Sequence, residues 1–210
     1  TPVPPENVAR QAISDIAATH HRIWYTPYGV EIDASLESWL ADNAYPTWQS
    51  WIARKRLSLY GGSDTSLDRK NQLSATFAHP SGQALVLESV AMPAQVIAAG
   101  DILPLSLIWQ ATAEIKEDYK LSLRLSNGQG DVFAQSDWPP LAASGGTSSW
   151  KPNQSVTDRR GLWLPPDIPP GDYTLQAVVY DPDSGRSLGP PAIIPDLRVG
   201  PAEAIVPREA

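Results

Sequence analysis

The spacing of apolar residues changes near residue 70. Over 6–19, Val8, Ala9, Ala12, Ile13, Ile16 and Ala17 recur every three or four positions, which lines them along one side of a helix. Pro4 and Pro5 stand just ahead of it, where a missing N–H is tolerated. Ile23-Trp24-Tyr25 reads as a short buried strand ended by Pro27 and Gly29. A second helix is expected from Asp33 as N-cap, with Glu37 in the first turn favoured by the helix dipole. Leu36, Trp39 and Leu40 form its inner side. Residues 52–60 predict another strand with Leu57 and Leu59 on one side, closed by Gly61-Gly62-Ser63-Asp64. Helix, strand, helix, strand is half of an α/β layer. About sixty residues bury too little to be comfortable alone, so this segment is expected to lean on a neighbour.

From Leu73 the period becomes two. Residues 85–92 are apolar and strand-like, and Leu103, Leu105, Leu107 and Trp109 alternate with Pro104, Ser106, Ile108 and Gln110. Pro104 cannot donate to a ladder, which predicts an edge strand or a strand start. Tyr119, Leu121, Leu123 and Leu125 face one way, and Lys120, Ser122, Arg124 and Ser126 the other. Such alternation marks a sheet with one wet face. Asn127-Gly128 predicts a hairpin turn with positive φ, and residues 132–135 return. Residues 173–180 followed by Asp181-Pro-Asp-Ser-Gly185 repeat strand and turn, and 197–199 form a last strand. Seven or so short strands without a helix predict an antiparallel, Ig-like β-sandwich. The fold class is thus α+β: a small α/β segment over 1–65, a sandwich over 71–200 and a flexible tail over 201–210.

Composition agrees with many short elements, since 21 prolines and 14 glycines occur without a period while 42% of residues are hydrophobic. A net charge of −7 argues against nucleic acid as a partner, because binding a polyanion needs a basic stripe. The densest basic cluster, Arg54-Lys55-Arg56, reads as solvated charge at a strand end, as does Arg159-Arg160. The absence of cysteine excludes disulfides, thiolate zinc sites and thiol catalysis. No stretch approaches the ~20 apolar residues of a membrane span, and no signal peptide precedes the helix. The chain opens on Thr1 rather than Met, which sets the expectation of a processed chain or an excised fragment.

Catalytic patterns do not emerge. His20 and His21 are adjacent and His79 is distant, so no pair has metal-ligand spacing. There is no nucleophile elbow, and Ser144-Gly145-Gly146-Thr147 reads as a flexible loop. Neither a phosphate-cradling loop nor a dinucleotide fingerprint occurs. Asp181-x-Asp183-x-Gly185 starts like a calcium loop, but Ala192 stands where a bidentate Glu is required. A tight turn explains the same residues. Gly171-Asp172-Tyr173 resembles a tyrosine corner, and Asn153-Gln-Ser155 fits the N-glycosylation tripeptide. No catalytic residue, metal or cofactor is therefore predicted. The tryptophans carry the remaining interest. Trp24, Trp39 and Trp109 hold periodic positions expected in the core. Trp138, Trp150 and Trp163 lie near Pro139-Pro140 and Pro165-Pro166. As ligand-binding candidates they would stack on sugar rings or anchor a partner; alternatively they cover the open end of the sandwich.

Two stretches resemble a known family. The first is His21-Arg22-Ile23-Trp24-Tyr25 with Ser38-Trp39-Leu40 and Leu57-Ser58-Leu59-Tyr60. The second opens with Ala99-Gly100-Asp101, Leu105-x-Leu107-x-Trp109, Tyr119 and Asn127-Gly128-x-Gly130. It continues through Trp138-Pro139-Pro140, Trp150-Lys151-Pro152, Val156-Thr157-Asp158-Arg159 and Leu164-Pro165-Pro166, and ends in Pro170-Gly171-Asp172-Tyr173 and Val179-Tyr180-Asp181-Pro182. In order and spacing these resemble the C-terminal extracytoplasmic region of bacterial membrane glycosyltransferases of the GT-C type, relatives of the dolichyl-phosphate-mannose protein mannosyltransferases. The resemblance covers most of residues 20–190. It implies an accessory domain on the extracytoplasmic side of the bacterial membrane, periplasmic or extracellular, that binds or positions an acceptor and is not catalytic alone. It also implies a missing N-terminal transmembrane domain as partner, with a glycan or polysaccharide as ligand. The family's catalytic acidic residues lie between membrane spans, so none transfers to this chain. A free-standing carbohydrate-binding module or a protein-interaction sandwich is the alternative.

Overall fold

The computed structural model describes residues 5–202 other than 28, 30, 64, 79–81, 83 and 139–145. Pro139, Pro140, Ser144, Gly145, His79, Asp64 and nearly all of the expected tail lie outside the described residues. The N-terminal part contains α1 (Glu6–Thr19), β1 (Arg22–Tyr25), α2 (Glu31–Asn43), β2 (Tyr45–Ile52) and β3 (Lys55–Gly61). Its strands form one antiparallel sheet in the order β1-β3-β2. Ala17, Ile23, Leu40 and Ala44 are buried together, with Ile13, Tyr25, Trp39 and Tyr60 packed against them. Polar bonds fasten the two helices: Arg10 Nη2 donates to Ser35 Oγ at 2.7 Å, and Ser35 Oγ donates to Glu6 Oε1 at 2.6 Å.

Three expectations are corrected in this segment. The single strand over 52–60 is a hairpin of β2 and β3, turning at Ala53 and Arg54 with φ of 46° and 69°. A turn with two positive φ values matches the twist of the flanking strands, but neither residue is the Gly or Asn that would signal it. Asp33 stands inside α2, which starts at Glu31. Its carboxylate accepts from Gly29 N at 2.6 Å and from the Tyr25 phenol at 2.9 Å, so it fastens the preceding loop. Trp24 is exposed and Trp39 half-buried; Trp109 alone of the three expected core tryptophans is fully buried.

The remainder is a β-sandwich, and the chain as a whole is mostly β. The first sheet has the order β10-β7-β5-β4, and the second β6-β12-β11-β8-β9. The strands are β4 (Arg69–Ala78), β5 (Ala84–Met92), β6 (Ile97–Ala98), β7 (Ile102–Ala111), β8 (Lys120–Ser126), β9 (Val132–Trp138), β10 (Ser155–Trp163), β11 (Gly171–Tyr180) and β12 (Ala192–Gly200). A 3-10 turn, Thr147–Ser149, precedes β10. Every ladder is antiparallel except that between β12 and β6. One core lies between the sheets. Leu103, Leu105, Leu107 and Trp109 meet Leu121, Leu123, Leu125, Leu175 and Val179 there, in keeping with the two-residue alternation.

Pro104 is not on an edge, because β7 runs between β10 and β5. The β5 ladder ends at the Ala91–Ser106 pair, so Pro104 has no β5 neighbour whose bond it would break. The β8–β9 turn spans 127–131 rather than two residues. Asn127 Oδ1 accepts from Gln129 N at 3.0 Å and from Asp131 N at 2.9 Å, while the positive φ falls at Gly130, not Gly128. The wet face of β8 is also partly screened. Ser122 and Ser126 are buried on the outer side, where Arg124 Nε donates to Ser122 Oγ at 3.0 Å and Gln176 Nε2 to Ser126 Oγ at 3.3 Å. The tyrosine corner is present: Tyr173 donates its phenol proton to Pro169 O at 2.7 Å. The 181–185 segment is a turn whose Asp181 carboxylate accepts from Asp183 N and from Ser184 Oγ, both at 2.9 Å.

The N-terminal sheet packs on the outer side of β10 and β7 through two glycines. A Cβ at Gly161 would stand 2.0 Å from Thr47 Oγ1, and one at Gly61 would stand 3.1 Å from Ile102 Cγ2. Beside them, the Arg159 guanidinium lies 5.7 Å from the Tyr45 ring centroid, within cation–π range. That packing creates the cleft described next.

Candidate ligand-binding cleft

Where the two sheets meet, a cleft of about 210 Å³ is lined by residues from four separate segments. His21 comes from the residue before β1, Gly61, Gly62 and Thr65 from the end of β3 and beyond, and Gln95 to Ala98 from the end of the β5–β6 connection and β6 itself. Asp101, Ile102 and Pro104 complete it from the start of β7. Its floor is backbone held at fixed distances. Gly62 N donates to His21 O at 3.1 Å and Ser63 N to Ala17 O at 2.8 Å. A Cβ at Gly62 would fall 1.9 Å from His20 O, so only glycine allows this approach.

Between the lining residues Ala98 and Asp101 stands Gly100, which has φ +86°, a left-handed conformation suited to glycine. Its N–H donates to Leu164 O at 3.1 Å, and Leu164 N donates to Asp101 O at 2.9 Å. The Gly100 carbonyl accepts from Arg22 Nη1 at 3.4 Å and from Trp163 Nε1 at 3.2 Å. An arginine of β1 and a tryptophan of β10 are thereby fixed beside the same oxygen. Trp163 remains 47% exposed, so part of its ring is open to a partner.

The side chains of this cleft offer an imidazole, a carboxylate, a hydroxyl and an amide, from His21, Asp101, Thr65 and Gln95. Side chains of these kinds can donate to and accept from hydroxyl groups. Among the described residues no three His, Asp or Glu gather to hold a metal ion. A second recess of about 310 Å³ lies on the outer side of the five-stranded sheet among Arg124, Asp137, Val178, Tyr180, Gly185 and Ser187. Its groups interact with one another: burial, then the Asp137 carboxylate to which it hydrogen-bonds, pushes the Tyr180 phenol upward, and Arg124 opposes this.

The three candidate tryptophans do not form one platform. Trp150 is buried in the core, its ring centroid 6.4 Å from that of Trp109. A ring enclosed between the sheets has no face left for an external sugar, so its placement corrects the expectation for that residue. Trp138 ends β9 opposite Leu121 and is half-buried. Trp163 ends β10 on the outer side of the other sheet, opposite Ile102. Of the three, Trp163 alone is the register partner of a cleft-lining residue, Ile102, although its own side chain is not part of the lining. No local pattern marks the cleft's polar residues, because His21, Thr65, Gln95 and Asp101 are far apart along the chain. Their one signal was proximity to motifs: His21 and Asp101 each belong to a stretch that carries the family resemblance.

A scan against protein-family models matches none, and no curated protein matches the chain. No helix among the described residues is long and apolar enough to cross a membrane.

Proposed function

We propose that this chain is the extracytoplasmic accessory region of a bacterial membrane glycosyltransferase, and that it holds a glycan acceptor at the junction cleft without catalysing transfer itself. The observation that carries this reading is a convergence. Two stretches, over 21–60 and 99–182, resemble one family, and they meet at one carbonyl, where Arg22 and Trp163 both donate to Gly100 O. The cleft near it is lined by His21, Thr65, Gln95 and Asp101, residue types that can bond hydroxyl groups, and its lining residue Ile102 is paired with the half-exposed Trp163; polar groups and an indole are what carbohydrate rings engage.

The sandwich in this reading is Ig-like. Support comes from the short β6 running parallel to β12, from the β8–β9 hairpin beside β11, and from the phenol of Tyr173 bonding back to Pro169 O at 2.7 Å. The catalytic partner is a transmembrane domain encoded upstream, and the site of action is the periplasmic or extracellular side.

Two measurements test the proposal. Calorimetric titration with a panel of bacterial oligosaccharides should show binding that Asp101→Asn and Trp163→Ala each weaken. Reading the upstream coding sequence should reveal several membrane spans. A gene without spans removes the transferase reading and leaves a free-standing carbohydrate-binding module; absence of binding to every glycan removes the acceptor role.

A further inference from the structure

We infer that the tip of the β2–β3 hairpin is a membrane-docking element that inserts into the interface of an anionic lipid bilayer. The inference does not depend on the glycan reading. Trp51 and Ile52 close β2 and are 69% and 56% exposed. Ala53 and Arg54 form the turn with positive φ, and Lys55 opens β3. Two large apolar side chains at a hairpin tip gain nothing from the fold, because neither belongs to a buried cluster.

Geometry favours a fluid partner. Trp51 pairs with Arg56 and Ile52 with Lys55, and successive strand residues point to opposite sides of the sheet. The tip is therefore apolar on both sides. A protein partner seated on one face would cover one residue and leave the other wet, whereas an interface entered end-on covers both. The six-residue rise from Lys55 to Gly61 holds the tip ~20 Å from the junction cleft, so insertion leaves that cleft open.

Charge points the same way. The chain carries −7 overall, yet the tip places Arg54 and Lys55 directly beside the apolar pair. Arg56, the next cation, is engaged by Glu37 of α2. Indole rings favour the headgroup level of a bilayer, and basic residues there are drawn to anionic lipid. A further exposed pair, Trp24 and Trp48, lies on the same small sheet with ring centroids 6.0 Å apart.

The test is flotation of the full chain with vesicles of about 30% phosphatidylglycerol in phosphatidylcholine, against pure phosphatidylcholine. The expected result is binding to the anionic vesicles that fades as salt rises, since the Debye length shrinks. The Trp51→Ser/Ile52→Ser variant should lose about tenfold or more of the bound fraction through lost apolar burial. Arg54→Glu should remove the preference for anionic vesicles. Both substitutions fall on exposed residues, and an unchanged thermal transition certifies the fold. Absence of vesicle binding by the parent chain, or equal binding by the double variant, overturns the inference. So does a concentration-dependent self-association in sedimentation that the double variant abolishes, because the apolar tip would then serve a second copy.

Discussion

Thr47 lies against Gly161 so closely that its hydroxyl occupies the space of a side chain: a Cβ on Gly161 would stand 2.0 Å from Thr47 Oγ1 and 2.7 Å from Ile102 Cγ2. This contact joins β2 of the small sheet to β10 of the sandwich. Gly161→Ala is expected to destabilise the protein by ~1–3 kcal/mol, the range for overpacking a filled site. Gly128→Ala is the control, since a Cβ there meets nothing within 4 Å, and exposed sites of that kind shift stability by about 0.5 kcal/mol or less. Urea denaturation of both variants checks the difference. Equal midpoints would mean that the two sheets do not touch as described.

Tyr173 supplies a second measurable bond. Its phenol donates to Pro169 O at 2.7 Å while its ring packs edge-on to Phe133 with centroids 5.5 Å apart. Tyr173→Phe keeps the ring and removes the donor, so the expected loss is ~0.5–1.5 kcal/mol. Tyr173→Ala should cost more, ~3–5 kcal/mol, as for deletion of a large aromatic from a core. A Phe variant as unstable as the Ala variant would show that the ring had left its place.

What could be read without coordinates follows from how local each signal is. The core faces of β7 and β8 are encoded by strict alternation, so Leu103 to Trp109 and Leu121 to Leu125 fall where the period puts them. The tyrosine corner and the Asp181 turn are likewise set within a few residues of chain. The β2–β3 hairpin was hidden because Ala53 and Arg54 adopt positive φ without the residue types that favour it. Trp24 looks like a core residue because apolar neighbours flank it, but it alternates with the buried Ile23 and so points to the other side of the small sheet, where it is 58% exposed. The cleft was illegible for a different reason. His21, Thr65, Gln95 and Asp101 are brought together only when the small sheet docks on the sandwich, and no periodicity encodes docking. Among the three candidate tryptophans, proximity to proline-rich loops could not distinguish Trp150, enclosed beside Trp109, from the half-exposed Trp163 bonded to Gly100 O.

Alkaline pH should destabilise the fold. The phenols of Tyr25, Tyr45, Tyr60, Tyr119, Tyr173 and Tyr180 are all raised above 10.0, with burial the first cause in each case. Tyr119 is pushed up to about 12 by burial and then by the Glu117 carboxylate. An unfolded chain releases these protons at lower pH than the folded one, so the folded form binds more protons above pH 10. The stabilisation is complete below the unfolded value and is lost as pH rises through the folded values. Circular dichroism followed from pH ~10 to ~12 should record unfolding together with phenolate absorbance. Complete phenolate formation near pH 10 with an intact spectrum would contradict the assigned burial.

Asp158 and Arg160 test the sandwich at its most polar buried point. Both side chains of β10 point to the core side, and Arg160 Nε donates to Asp158 Oδ2 at 2.6 Å. Arg160 Nη1 also reaches Trp138 O at 3.4 Å, which ties β10 to the end of β9 on the opposite sheet. Removing one partner strands a charge away from water, and Asp158→Ala is expected to cost ~3–5 kcal/mol. Replacing both, as Asp158→Leu with Arg160→Met, removes the desolvation along with the attraction. That double variant should cost less than the single one, or nothing, because apolar pairs often match buried ion pairs in stability. Denaturation of the single and double variants in urea separates the possibilities by sign. If Asp158→Ala costs under about 1 kcal/mol, the pair behaves as a surface salt bridge, and water must reach the end of the sandwich that Trp138 borders. If the double variant is the worse of the two, the pair contributes net stability by fixing β9 against β10. The expected ordering, single worse than double, assigns the pair to holding one arrangement of the two sheets rather than to stability as such.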